Sequence, residues 1–189
     1  MLSDRGGPTA VLCFTHGEAS TLHGTPGDLH TVRASELFCA AGELGVDRVG
    51  LTGHPDGSLT DIPVSRLAAE VTRLVDERRP THLPVFDTGG VTGHGDHQQA
   101  TNAALFAARR AGVAVLGWTL PRQVADRLNT EFDTSFTGRD PVQSRVVGPV
   151  PRDRQRAAIA CHASQSANNP VLWRRLELLG DREYVAVLE

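Results

Sequence analysis

Apolar positions along the chain fall into short continuous runs that alternate with stretches repeating at helical spacing. Residues 9–14 (Thr-Ala-Val-Leu-Cys-Phe) read as a buried strand that ends at Thr15-His16-Gly17-Glu18. A polar loop with Gly24, Pro26 and Gly27 follows. Residues 30–44 then read as a helix with Phe38, Ala41 and Leu44 on one face, stopped by Gly45. Residues 48–53 form a second strand pattern running into the turn His54-Pro55-Asp56-Gly57. Residues 62–79 are the clearest amphipathic helix, because Leu67, Val71, Leu74 and Val75 recur at 3.6-residue spacing, and Pro80 ends it. Residues 82–86 read as a third strand, which Pro84 makes short or restricts to a sheet edge. A glycine-rich loop leads to His94-Gly95-Asp96-His97, an alanine-rich helix runs to about Arg110, and residues 113–120 are a fourth strand. After Pro121 the pattern loosens, with helical stretches at 123–132, 152–165 and 172–179 and extended ones at 145–150 and 184–188.

Strands alternating with helices, joined by crossovers of this length, predict an α/β fold with parallel pairing. Such sheets bind ligands at the C-terminal ends of their strands. Three polar motifs sit at those positions: Thr15 to Glu18, His54 to Gly57, and the loop ending at His97. No internal repeat and no long linker interrupts the chain, so residues 1–189 read as one domain.

Composition narrows the function classes. A chain of 189 residues can bury a sizeable core, and no apolar run approaches the roughly 20 residues that span a bilayer. The N-terminal residues lack the apolar segment of a signal peptide, which predicts a cytoplasmic protein. The net charge of −3 argues against a nucleic-acid partner. All 19 basic residues are Arg, and the absence of Lys removes P-loop lysine and Schiff-base chemistry. Cys13, Cys39 and Cys161 are far apart and form no C-x-x-C pair. They read as buried free thiols, with Cys39 on the buried side of its helix.

The segment His94-Gly95-Asp96-His97 carries the most chemistry. Two imidazoles three residues apart at a helix start can face one point, and neutral imidazole is a good zinc ligand. Asp96 between them can orient a ring through its second nitrogen, or can simply cap the helix. The glycines before it suggest a phosphate cradle, but their spacing fits neither dinucleotide nor P-loop patterns. Arg33 and Glu36, three apart on a helix, read by themselves as a surface ion pair worth roughly 0.2–0.5 kcal/mol. Glu18 lies at a strand end behind Gly17, where it is either a ligand contact or solvated. Pro55-Asp56-Gly57 is also ordinary turn chemistry.

Taken in order, Thr15-x-Gly17-Glu18, Arg33-x-x-Glu36-Leu37 with Leu44-Gly45, Asp56-Gly57-x-Leu59, His94-x-Asp96-His97 and His162-Ala163-Ser164-Gln165 resemble the zinc-dependent N-deacetylases of the PIG-L/LmbE type, over about residues 9–165. The resemblance implies a Rossmann-like three-layer α/β/α fold that hydrolyses acetamido groups, often on N-acetylglucosaminyl substrates, by attack of a zinc-bound water. It makes His97 a zinc ligand. His94 would stabilise the tetrahedral intermediate or protonate the leaving amine, with Asp96 helping to position the site. Glu18, Arg33 and Asp56 would contact the substrate, and His162 would line its pocket.

The family's early A-H-P-D-D-E motif, which supplies further zinc ligands and the base, has no counterpart before the strand at residue 9. Residues 1–7 resemble the tail of the helix that follows that motif, and His54-Pro55-Asp56-Gly57 occupies the family's Asp-Gly turn rather than the missing position. The expectation is therefore an N-terminally incomplete domain without its usual first strand, whose exposed edge favours self-association. Two readings stay open: a metal-dependent deacetylase of a small N-acetylated sugar-like substrate, or an inactive fragment or non-catalytic sugar-binding member of the same family.

Overall fold

The computed structural model describes residues 7–19 and 28–189. Residues 1–6, most of the segment compared with a helix tail, and the loop containing Gly24, Pro26 and Gly27 lie outside the described residues. The chain divides into two compact units, Met1–Gly57 with Val150–Trp173 and Ser58–Pro149 with Arg174–Glu189.

In the first unit, strand β1 (Ala10–Cys13) pairs in parallel with β2 (Arg48–Leu51), from Ala10 opposite Arg48 to Cys13 opposite Leu51. Helix α1 (Leu29–Leu44) makes the crossover. The Asp28 side chain accepts from the amide of His30 at its start, and Gly45 ends it with φ 67°, a left-handed conformation that costs glycine little. The buried face of α1 is not the one the apolar pattern predicts. Phe38 points outward, 56% exposed, while Arg33, Glu36, Ala40 and Ala41 are buried. Positions 33, 36 and 40 share a stripe whose first half is charged, so hydrophobicity alone selects the wrong side of the helix.

Helix α1 packs on α5 (Arg152–Cys161), and a Cys39–Cys161 disulfide joins them with the two Cα atoms 5.7 Å apart. This corrects the reading of Cys39 and Cys161 as buried free thiols: Cys39 lies on the exposed side of α1 and finds a partner 122 residues away that no sequence spacing reveals. Cys13 is a free thiol, and burial pushes its pKa up. The expected helix at 152–165 is broken at His162 (φ −87°, ψ 50°), and a short α6 (Ala163–Ser166) follows.

The second unit holds a 3-10 turn (Leu59–Asp61), α2 (Val64–Arg78), β3 (His82–Phe86), α3 (Gly95–Ala111), β4 (Ala114–Pro121), α4 (Arg122–Phe132), β5 (Gly138–Arg139), β6 (Arg145–Val147) and β7 (Glu183–Leu188). Helix α7 (Pro170–Leu179) begins in the first unit and ends in the second. The sheet order is β3-β4-β7-β6, with β5 pairing the end of β4. β3 and β5 run parallel to β4, whereas β7 is antiparallel to both β4 and β6. The sheet is therefore mixed, a correction to the mostly parallel expectation, which rested on the regular alternation of the first half. Pro84 sits on the outermost strand β3, as its missing N–H requires.

Helix α2 packs on α3; α2 buries Leu67, Ala68, Val71 and Val75, and α3 buries Ala103, Ala104, Ala107 and Ala108. Ala108 joins Leu105, Val115, Leu83, Val85 and Leu188 in one apolar cluster. Gly117 on β4 is required by packing, because a Cβ there would lie 2.9 Å from Leu188 on β7. Leu67, Leu120 and Leu128 are the largest fully buried side chains of this unit.

Candidate functional site

The predicted residues fall into two clusters, one in each unit. In the first unit the loops after β1 and β2 clasp each other through their carboxylates. Glu18 Oε1 accepts from the Asp56 amide at 3.0 Å, while Asp56 accepts from the Ala19 amide at 3.0 Å and from the Thr15 hydroxyl at 3.2 Å. Asp56 is thus more than a turn residue. Burial raises the Glu18 pKa, but the Asp56 N–H and the nearby His16 and His30 outweigh it and hold the carboxyl below its ordinary range. The other oxygen, Oε2, is buried and accepts no hydrogen bond among the described residues. His16 donates through Nδ1 to the His30 carbonyl at 3.0 Å and stacks on that ring at a centroid distance of 3.3 Å. Sequence reasoning had no signal for this pair.

Arg33 reaches from α1 to the first of these loops. A Cβ on Gly17, whose φ is +76°, would fall 2.9 Å from Arg33 Nη1, so glycine is needed there twice over. On its other side Arg33 Nε donates to Ser164 Oγ at 3.4 Å. Glu36, one turn along, accepts from the Ser164 amide and hydroxyl, each at 2.7 Å. Arg33, Glu36 and Ser164 are all at least 93% buried, which overturns the surface ion-pair reading of Arg33 and Glu36. His162, at the helix break, has its Nδ1 4.0 Å from Glu36 Oε2. Burial lowers its pKa and Arg33 lowers it further, with Glu36 opposing both. The first unit therefore brings together Glu18, Asp56, Arg33 and His162, and adds Glu36 and Ser164.

In the second unit, the loop from β3 to α3 carries His94, Asp96 and His97. Gly90 has φ 67°, and a Cβ there would meet the His94 carbonyl at 2.8 Å. Val91 adopts φ 65° while buried, an uncommon conformation for a β-branched residue, and its carbonyl accepts from the Thr137 amide at 2.7 Å. The strained loop is thereby tied down immediately before the histidines.

The two rings take complementary tautomers. His97 donates through Nδ1 to the Gly90 carbonyl at 3.1 Å, so its lone pair lies on Nε2. His94 accepts at Nδ1 from the Asp96 amide at 3.2 Å, so its neutral ring carries the proton on Nε2. One ring is a Lewis base and the other an N–H donor. The rings stack at 4.8 Å, and His97 stacks on Phe86 at 4.0 Å. His94, rather than Asp96, is the helix cap; the buried Asp96 carboxylate accepts from the Leu59 amide at 3.1 Å and holds the 3-10 turn against α3. A cleft of about 580 Å³ in this unit, lined by Thr60, Pro63, Asn102, Phe106 and Arg109 among others, contains none of these three residues.

Asp87, at the end of β3, forms a two-pronged ion pair with Arg139 on β5, both contacts at 2.6 Å. Burial raises the Asp87 pKa, but hydrogen bonds and charge from Arg139 outweigh it, leaving the carboxyl below its ordinary range. A depressed carboxyl contributes stability that is fully present above its unfolded value, near 3.9. That stability is lost as pH falls through the folded value. Asp87→Asn is expected to cost about 2–3 kcal/mol at neutral pH, less than a fully buried pair because Arg139 is partly exposed. The gap between variant and parent should narrow as pH falls from the unfolded value through the lower folded one, as denaturant titrations at several pH values will show. A gap independent of pH would mean the ion pair is not its source.

The fold is that of an α/β protein with two stacked histidines in the loop before α3. A family profile described as GlcNAc-PI de-N-acetylase (PIG-L) matches residues 1–108. The chain belongs to this PIG-L/LmbE-like family. It is 27% identical, over 179 aligned residues, to the 1D-myo-inositol 2-acetamido-2-deoxy-alpha-D-glucopyranoside deacetylase of Streptomyces griseus, covering 71% of this chain and 56% of the relative. The chain thus spans little more than half the length of that curated relative. The zinc-inhibited form of teicoplanin deacetylase shares the fold with a TM-score of 0.67 at 19% identity, covering 98% of this chain and 88% of the other. The N,N'-diacetylchitobiose deacetylase of Pyrococcus horikoshii also matches with a TM-score of 0.67 at 19% identity, covering 99% and 75%.

Proposed function

We propose that this protein is a metal-dependent N-deacetylase that removes acetate from an N-acetylglucosaminyl-type substrate and leaves a free amine. The observation that carries this reading is the opposite tautomers of His94 and His97 within the matched H-x-D-H segment. His94 Nε2–H is suited to donate to an acetamide oxygen as negative charge develops there. Among the carboxylates and cations of the first unit, Glu18, Arg33 and His162 are the groups we assign to the substrate's hydroxyls. Asp56 shapes that surface through its bonds to Thr15 and Ala19.

His97 has the second-nitrogen support that zinc-ligating imidazoles require. A catalytic zinc, however, takes three protein ligands. Among the described residues no group of three or more His, Cys, Asp or Glu side chains could hold a metal. The described residues therefore do not supply a full zinc site by themselves, and the alternative this disagreement raises is a sugar-binding member of the family without catalysis. The zinc content of the 189-residue chain after loading and exhaustive buffer exchange decides between the two. Negligible zinc, with no acetate released from an N-acetylglucosaminyl substrate, would support the sugar-binding alternative for this chain. Near-stoichiometric zinc would mean that other side chains complete the site and that the fit drawn here is wrong.

No helix among the described residues is long and apolar enough to cross a membrane. Strand β6 lies at the edge of its sheet with Val146 and Val147 exposed, which supports self-association.

A further inference from the structure

We propose that Glu36 is the positioning residue of the first unit's polar cluster, fixing Arg33 and His162 in the arrangement that receives a polyhydroxylated ligand. The inference rests on the substrate-contact reading of Arg33 and His162 but concerns a residue to which that reading gives no task.

The geometry is specific. A carboxylate that is 93% buried must satisfy its acceptors within the protein. Glu36 does so on a single residue, taking the Ser164 amide on one oxygen and the Ser164 hydroxyl on the other, each at 2.7 Å. Because the hydroxyl proton is committed to Glu36, Ser164 Oγ can only accept from its other side, and there it meets Arg33 Nε at 3.4 Å. Glu36 therefore orients the guanidinium through Ser164. The same carboxylate holds the corner between α5 and α6, and His162 sits at that corner. The imidazole Nδ1 lies 4.0 Å from Glu36 Oε2 and 3.3 Å from Gln165 Nε2. The charged groups recorded as acting on His162 are Glu36 and Arg33, both from α1. A neutral residue at position 36 would weaken the hold on the Ser164 corner and remove the negative charge beside His162.

Glu36→Gln and Ser164→Ala, prepared in the full chain and checked by circular dichroism for a native fold, test this without requiring activity. Charge-assisted hydrogen bonds are about twice as strong as neutral ones. Exchange of the Ser164 amide proton is therefore expected to accelerate roughly tenfold or more in Glu36→Gln. The His162 titration, followed by NMR of its ring protons, should move to lower pH in that variant. Ser164→Ala should leave the charge near His162 in place, so its titration moves less, while the Arg33 side-chain resonance loses its dispersion. If the Ser164 amide and the His162 titration are both unchanged in folded Glu36→Gln, the proposal is overturned. If Glu36→Gln fails to fold, the Ser164→Ala resonances of Arg33 decide, and an unchanged Arg33 overturns it. Binding of N-acetylglucosamine to the parent chain is measured separately. Its absence would count against the substrate-contact reading alone, because the exchange and titration measurements need no ligand.

Discussion

Serine at both Cys39 and Cys161 is expected to lower Tm on the order of 10 °C relative to the oxidised parent. The disulfide closes a loop of 122 residues, for which loop entropy predicts a contribution of about 4–5 kcal/mol. For a chain of this size each kcal/mol moves Tm by roughly 2–4 °C. The loss should reach beyond the bond itself. Cys39 lies one helical turn beyond Glu36, and Cys161 immediately precedes His162, so the bond pins the two ends of the Glu36–Ser164 clamp. Thermal melts of the parent with and without a dithiol reductant, and of the double-serine variant, check the expectation. Thiol titration of the unreduced, denatured parent should find one reactive cysteine, Cys13. Three reactive thiols with an unchanged melt would mean the bond does not form in solution. In a cytoplasmic setting such a bond exchanges with cellular thiols, so the reduced form's melt also bears on where the protein resides.

His97→Ala is expected to abolish hydrolysis in any form of this protein that releases acetate, because no other side chain in its loop presents the same lone pair with Nδ1 held by Gly90. His94→Ala should lower kcat by about 10²–10³ and change KM little, as removal of a donor to a developing oxyanion does. The pair of variants separates the two roles when acetate release is measured over a range of substrate concentrations. Equal, modest losses in both would argue that the rings act only by packing on Phe86 and on each other. Loss of substrate affinity with kcat intact in His94→Ala would place it among the binding groups.

Much of the local structure was written in the chain. The strands at β1 to β4, the amphipathic α2, the Gly45 stop of α1 and the edge position forced by Pro84 follow from spacing and backbone preference, which are properties of neighbouring residues. So does the family, because its motifs are short and ordered. The errors share one cause. Each involved a partner distant in sequence: Ser164 for Glu36, Cys161 for Cys39, and β4 for the antiparallel β7.

Position 36 shows the limit most clearly. A glutamate three residues from an arginine on a helix has the pattern of a solvated pair, and only the packing of α5 and α6 against α1 excludes water and makes it a clamp. Similarly, His94 and His97 were recognisable as chemistry from their spacing. Which nitrogen of each carries the proton was decided by a glycine carbonyl and a backbone amide placed by a strained loop. The sequence by itself determined most element types and the family, because those depend on short-range pattern and side-chain identity. Burial, pairing and tautomer were decided only by tertiary structure, since each depends on what long-range packing brings within a few ångströms.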